Sequence, residues 1–104
     1  MKVLTEGHLY SLAYFEDQKS LPQTIQFIQK VPTSPGSTDL ETVSDGTTNE
    51  EVLAMMIDRM KYLQAKFPCR ENAIVITKLE ESLMWLNKRT EDRKARNVEG
   101  KQIV

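Results

Sequence analysis

A single proline divides the second half of this chain. From Thr48 onward apolar residues step by three and four, the spacing of one helix face, until Pro68 interrupts the pattern because it has no N–H for the helical ladder. Residues 48–100 are therefore predicted to form a two-helix hairpin. Thr48 followed by Glu51 has the pattern of a capping box and places the start of the first helix. Its apolar residues Leu53, Met56, Ile57, Met60, Leu63 and Phe67 are expected to form one buried stripe. The second helix is expected to begin within a residue or two of Cys69 and to run to Gly100, a residue suited to a left-handed cap. Two helices alone cannot bury both apolar stripes, so the sheet or another subunit must cover them.

The first half has a different period. In "GHLYSLAYFED" Leu9, Ser11, Ala13 and Phe15 share one face and Tyr10, Leu12 and Tyr14 the other, while "QTIQFIQKV" is again rich in β-branched and aromatic residues. These are predicted as two strands of a short antiparallel hairpin, connected through "DQKSLP", with Pro22 where it removes no central ladder bond. Turn-forming residues then dominate from Pro32 to Asp45, and within them "LETV" can add a brief third strand. The expected fold is α+β: a small N-terminal antiparallel sheet and connection (1–47), then a long helical hairpin (48–100), in one domain spanning residues 1–104.

Composition limits what such a chain can do. A chain of 104 residues with 39% hydrophobic content builds a modest core, which makes self-association a reasonable expectation. Fourteen Lys and Arg balance 15 Asp and Glu, against the basic excess that a binder of long nucleic acid needs. One cysteine cannot close an internal disulfide, and no apolar run is long enough for a signal peptide or a membrane span. The sequence reads as a soluble, intracellular protein.

The charge balance is broken locally. Residues 85–101 hold six cations (Lys88, Arg89, Arg93, Lys94, Arg96, Lys101) against three anions (Glu91, Asp92, Glu99). At about 100° per residue, with Lys78 at zero, Ser82, Trp85, Arg89, Arg93 and Arg96 all fall within roughly 60° of it, while Ile76, Leu79, Leu83 and Leu86 centre near roughly 120°. A cationic stripe thus borders the core face. Arginine's planar fork matches phosphate oxygens in pairs, and Trp85 or Tyr62 offers a face for a purine, which together suit a small nucleotide. The competing reading is a solvated helix end whose cations favour the macrodipole and pair with Glu91 and Glu99.

Other chemistry is poorly supported. His8 stands alone at the start of a strand, without evident partners for a metal site or a Ser-His pair. Cys69 beside a helix N-terminus reads either as a thiol of lowered pKa or as a small packed residue. Glu80 and Glu81 point in different directions on a helix, and no P-loop, dinucleotide fingerprint or metal-ligand spacing occurs. The methionines lie at helical spacing and read as core or interface packing.

The run from "DGTTNEEV" through "REN", "ITKLEES" and "MWLNKRT" to "VEG", with the upstream "YSLAYFED" and "TIQFIQKV", resembles the phage-encoded Thoeris anti-defence sponge family. Its helical half also resembles the related anti-CBASS cyclic-oligonucleotide sponges. The resemblance implies a binding protein without enzymatic activity or cofactor, which sequesters nucleotide second messengers in the host bacterial cytoplasm and so silences immunity. The implied ligands are glycocyclic ADP-ribose isomers, with cyclic di- or trinucleotides held by some relatives. The implied assembly is a homo-oligomer, a dimer that builds into a hexamer, with sites where subunits meet. By the same resemblance Arg89 and Arg93 of "RTEDR" would contact a pyrophosphate, with Arg96 on their stripe. The family's asparagine would be Asn72 of "REN", near the start of the long helix, Tyr62 of "MKYLQ" would stack on the base, and Lys78 of "ITKLEE" matches a lysine near a cyclic-nucleotide pocket. The alternative is an interaction module that binds a host protein through the helical hairpin.

Overall fold

The computed structural model describes residues 1–17, 19 and 21–104, and it divides into two compact units, Met1–Thr48 with Gly100–Val104, and Asn49–Glu99. The first unit holds strands β1 (Lys2–Thr5), β2 (Leu9–Leu12), β3 (Gln23–Gln26), β4 (Gln29–Pro32) and β5 (Leu40–Ser44); the second holds helices α1 (Asn49–Lys66) and α2 (Arg70–Ala95). The α+β class with antiparallel strands preceding a helical hairpin is as the sequence predicts.

In the strand unit, β1, β2 and β3 form one antiparallel sheet in that order, and β4 pairs with β5 in a second. The expected hairpin is β2 against β3, with Leu9 opposite Gln26 and Leu12 opposite Gln23. Gln18 and Ser20 of its connection lie outside the described residues. The expected third strand is β5, whose Leu40 faces Pro32. Two features depart from expectation. The strand β1 was not anticipated; Gly7, with a φ of 75°, turns the chain so that Val3 pairs with Tyr10. The run "QTIQFIQKV", expected as one strand, is split into β3 and β4. Between them the segment at Thr47 crosses, with the Thr47 N–H donating to Gln26 O (2.8 Å) and the Ile28 N–H to Thr47 O (2.9 Å). That crossing requires Gly46, where a Cβ would overlap Gln26 O and come within 2.8 Å of Phe27 C. An edge-to-face contact of Tyr10 and Phe27, with centroids 5.9 Å apart, packs the same region.

In the helical unit, α1 begins one residue after Thr48 and stops just before Phe67 and Pro68. Partly or fully buried positions on α2 are Asn72, Ile76, Leu79, Leu83, Leu86, Thr90 and Arg93, a strict alternation of three and four residues. On α1 the matching positions include Leu53, Ile57, Met60 and Gln64. The two helices thus share a narrow seam. The expected buried stripe on α1 is only half covered: Ile76 of α2 is the one buried hydrophobic side chain among the described residues, whereas Phe67 is 81% exposed. A two-helix hairpin covers only the residues facing its partner helix, so Phe67 and Met56, at the stripe's margin, stay exposed.

The end of α2 also differs from expectation. The helix closes at Ala95, not Gly100, because Asn97 takes the left-handed conformation with φ of 59°. The Val98 N–H then donates to Arg93 O (3.0 Å) and the Asn97 N–H to Lys94 O (3.1 Å), the paired bonds of a Schellman cap. Gly100 is left-handed too, but it lies beyond the cap.

Candidate functional site

The six residues singled out from the sequence occupy two regions of the helical hairpin. Tyr62, near the end of α1, and Asn72, in the first turn of α2, flank the turn between the helices. Arg89, Arg93 and Arg96 lie at the far end of α2, and Lys78 lies between. From Asn72 to Arg89 the helix rises about 25 Å at roughly 1.5 Å per residue. One copy of this chain therefore cannot bring Asn72 and Arg89 to the same small ligand.

The arginines are not equivalent. Arg89 is exposed and, among the described residues, its side chain has neither ion pair nor hydrogen bond. Arg93 is 8% exposed, on the seam, and its Nη2 donates to Val98 O at 3.1 Å. The helical wheel, which put Arg93 on the outer stripe with Lys78, missed this: the polar character of arginine suggested solvent, but its spacing from Leu86 is that of the seam. The Arg96 Nε donates to Asp92 Oδ2 at 3.0 Å, and Lys94 lies 3.9 Å from Glu99. The acidic partners within reach thus include Asp92 and Glu99. Such exposed pairs are worth only about 0–1 kcal/mol, so an arriving phosphate can compete for them. Lys78 is exposed and its Nζ is 3.8 Å from Glu81.

Both aromatic platforms are half exposed or more, Tyr62 at 56% and Trp85 at 61%. A lysine stands over each ring, Lys66 Nζ 4.9 Å from the Tyr62 centroid and Lys88 Nζ 5.0 Å from that of Trp85. Sequence reasoning counted Lys88 among the cations of residues 85–101 but placed neither lysine over a ring, although spacings of four and three residues on a helix are those of facing side chains. Each platform combines a stacking face with a positive charge, a combination suited to a base joined to phosphate.

The turn itself is held by a side chain that the sequence reading also passed over. Gln64 Oε1 accepts from the Cys69 N–H and Gln64 Nε2 donates to Cys69 O, both at 3.0 Å. Cys69 is the N-cap of α2, extended at φ −150°, and its Sγ accepts from the Asn72 N–H at 3.4 Å. The available signal was a polar glutamine on the apolar face just before Pro68.

Elsewhere on the hairpin a groove of about 830 Å³ is lined by Ile57, Leu83 and Met84, with Asp58, Glu80 and Glu91 outnumbering Lys61 and Lys88. None of the six residues lines it, and its acidic excess disfavours a diphosphate. The described residues contain no group of three or more His, Cys, Asp or Glu placed to hold a metal ion. His8 is engaged locally, its Nδ1 donating to Glu6 O at 2.9 Å. No helix among the described residues is long and apolar enough to cross a membrane.

Comparison with known proteins bears on this arrangement. The family described as "Acb2/Tad1, hairpin domain" matches residues 25–91, more than half of the chain. A protein named "Thoeris anti-defense 1", from Bacillus phage SBSphiJ7, is 59% identical over 58 residues, which are 55% of this chain and 41% of that protein. The match thus spans less than half of that relative's length.

Proposed function

Because this chain belongs to the Acb2/Tad1 hairpin-domain family, we propose that it holds a nucleotide second messenger intact between subunits and thereby blocks Thoeris-type anti-phage defence in the infected host cell. The observation that carries this reading is the exposed guanidinium of Arg89, without a partner among the described residues, at the end of a helix whose other predicted contact, Asn72, lies about 25 Å away. A two-fold pair of hairpins running in opposite directions places the Tyr62 and Asn72 end of one beside the arginine end of the other. Each chain then supplies a base-holding half and a phosphate-holding half. The pair carries two equivalent sites.

The ligand class is glycocyclic ADP-ribose: a pyrophosphate for the fork of Arg89, with Arg93 and Arg96 nearby, and an adenine for Tyr62. Cyclic di- or trinucleotides form a second class, with Lys78 as their candidate contact. Retention comes from enclosure between subunits, which slows dissociation, and the protein does not cleave what it holds. Exposed Met55, Tyr62, Phe67, Met84 and Trp85 provide apolar surface for pairing, with a hexamer built from dimers. The same exposed residues favour the second reading, in which the hairpin docks a host protein.

A capture-and-release assay separates these readings. The protein is incubated with glycocyclic ADP-ribose, cyclic dinucleotides and cyclic trinucleotides, filtered free of unbound ligand and heated, and the released molecules are identified by mass. Intact messenger is expected. Release of cleaved product points instead to an enzyme, and capture of nothing leaves the host-protein reading in front.

A further inference from the structure

The Gln64 side chain reaches from α1 to the residue that starts α2. Its amide meets both backbone groups of Cys69, accepting from the N–H and donating to the carbonyl at 3.0 Å each. That carbonyl also accepts the first helical bond of α2, from the Ala73 N–H at 3.2 Å. The glutamine therefore ties the last turn of α1 to the residue from which α2 starts, and it does so across Phe67 and Pro68, which offer little of their own. Phe67 is 81% exposed and Pro68 has no N–H to give.

The bracket has a direct geometric consequence for Asn72. Cys69 orients the first turn of α2 through its Sγ, which accepts from the Asn72 N–H. Gln64 holds the peptide groups on both sides of that sulfur, so the direction in which α2 leaves the turn, and with it the position of Asn72 relative to Tyr62 two residues before Gln64, depends on one side-chain amide. We infer that Gln64 is a positioning residue for the base-holding half of the messenger site: it sets the spacing of Tyr62 and Asn72 without itself contacting the ligand. This inference rests on the sponge reading above. Arginines at the other end of α2 lie roughly 25 Å away and are outside its reach.

The test compares the full-length wild type with Gln64→Ala and Gln64→Glu. The glutamate keeps the acceptor for the Cys69 N–H and loses the donor to its carbonyl. Three quantities are measured: affinity for glycocyclic ADP-ribose, amide exchange at Cys69 and Asn72, and helix content by circular dichroism. Gln64→Ala is expected to weaken messenger binding about tenfold and to speed exchange at both amides, with helix content unchanged and Gln64→Glu between the two. Wild-type affinity in Gln64→Ala, or unaltered exchange at Cys69 and Asn72, overturns the positioning role. Loss of helix content in Gln64→Ala shifts the decision to Gln64→Glu, where wild-type affinity overturns the role in the same way. A wild type that captures no messenger is a separate result, which removes the sponge reading and this inference with it.

Discussion

Arg93 and Val98 bond each other twice: the arginine Nη2 donates to the valine carbonyl at 3.1 Å, and the valine N–H returns to the arginine carbonyl at 3.0 Å. A residue expected to face a ligand is thereby part of the device that ends α2. Its side chain holds the cap on one side while its backbone completes it on the other. Arg89, one turn earlier, has no such duty.

The two arginines should therefore separate under mutation. Arg89→Ala is expected to weaken messenger binding at least tenfold, about 1.4 kcal/mol, with an unchanged melting temperature. Arg93→Ala is expected to lose binding and also roughly 1–3 kcal/mol of stability, because the Val98 carbonyl is left without its donor. Paired calorimetric and thermal-melt measurements check both; an unaltered melting temperature in Arg93→Ala would show that its bond to Val98 contributes nothing.

A site shared between two chains predicts complementation. Asn72→Ala and Arg89→Ala proteins are each expected to bind poorly alone, whereas a mixed pair would contain one site with both residues native. Denaturing the two together and refolding them should restore roughly a quarter of the wild-type capacity, since half the random pairs are mixed and each has one good site. Titration of active sites measures this directly. No recovery would place Asn72 and the arginines in separate sites.

Gly46 should tolerate no side chain. Gly46→Ala forces a methyl against the backbone of Gln26 and Phe27, and the shift needed to relieve it is expected to cost about 1–3 kcal/mol, the range for overpacking. Hydrogen exchange at Thr47 and Ile28, whose amide bonds join this crossing, should accelerate first. Native-like protection there would mean that the crossing is not rigid.

Asn97 tests the helix end by itself. With φ at 59°, Asn97→Gly should be neutral or slightly stabilising, and Asn97→Val should cost roughly 1–2 kcal/mol, the penalty for a bulky residue in the left-handed region. Thermal denaturation of the two variants reads the difference.

What the sequence made legible was local. Pro68 as the division between helices, Thr48 as the approach to α1 and the hairpin of β2 with β3 all follow from rules within a few residues of the event. What it concealed depended on partners distant in sequence or on a residue used against type. The break between β3 and β4 is made by Thr47, some twenty positions away, and β1 carries no alternation because every residue in it is exposed. Gly100 looked like the natural cap, but Asn97 reaches the same conformation first. Arg93 follows the seam spacing of Leu79, Leu83 and Leu86, and its charge hid that fact. For the candidate site, charge and spacing were enough to single out Arg89 as a candidate, whereas the bonds of Gln64 to Cys69 came into view only with the turn it brackets.

The distance along α2 between Asn72 and the arginines has a consequence for dosage. On the proposed shared site, a lone chain carrying two half-sites that cannot meet would be silent, and capture would begin only after chains had found one another. At low expression the number of working sites then grows as the square of the protein concentration. A threshold of this kind favours abrupt, early synthesis over slow accumulation.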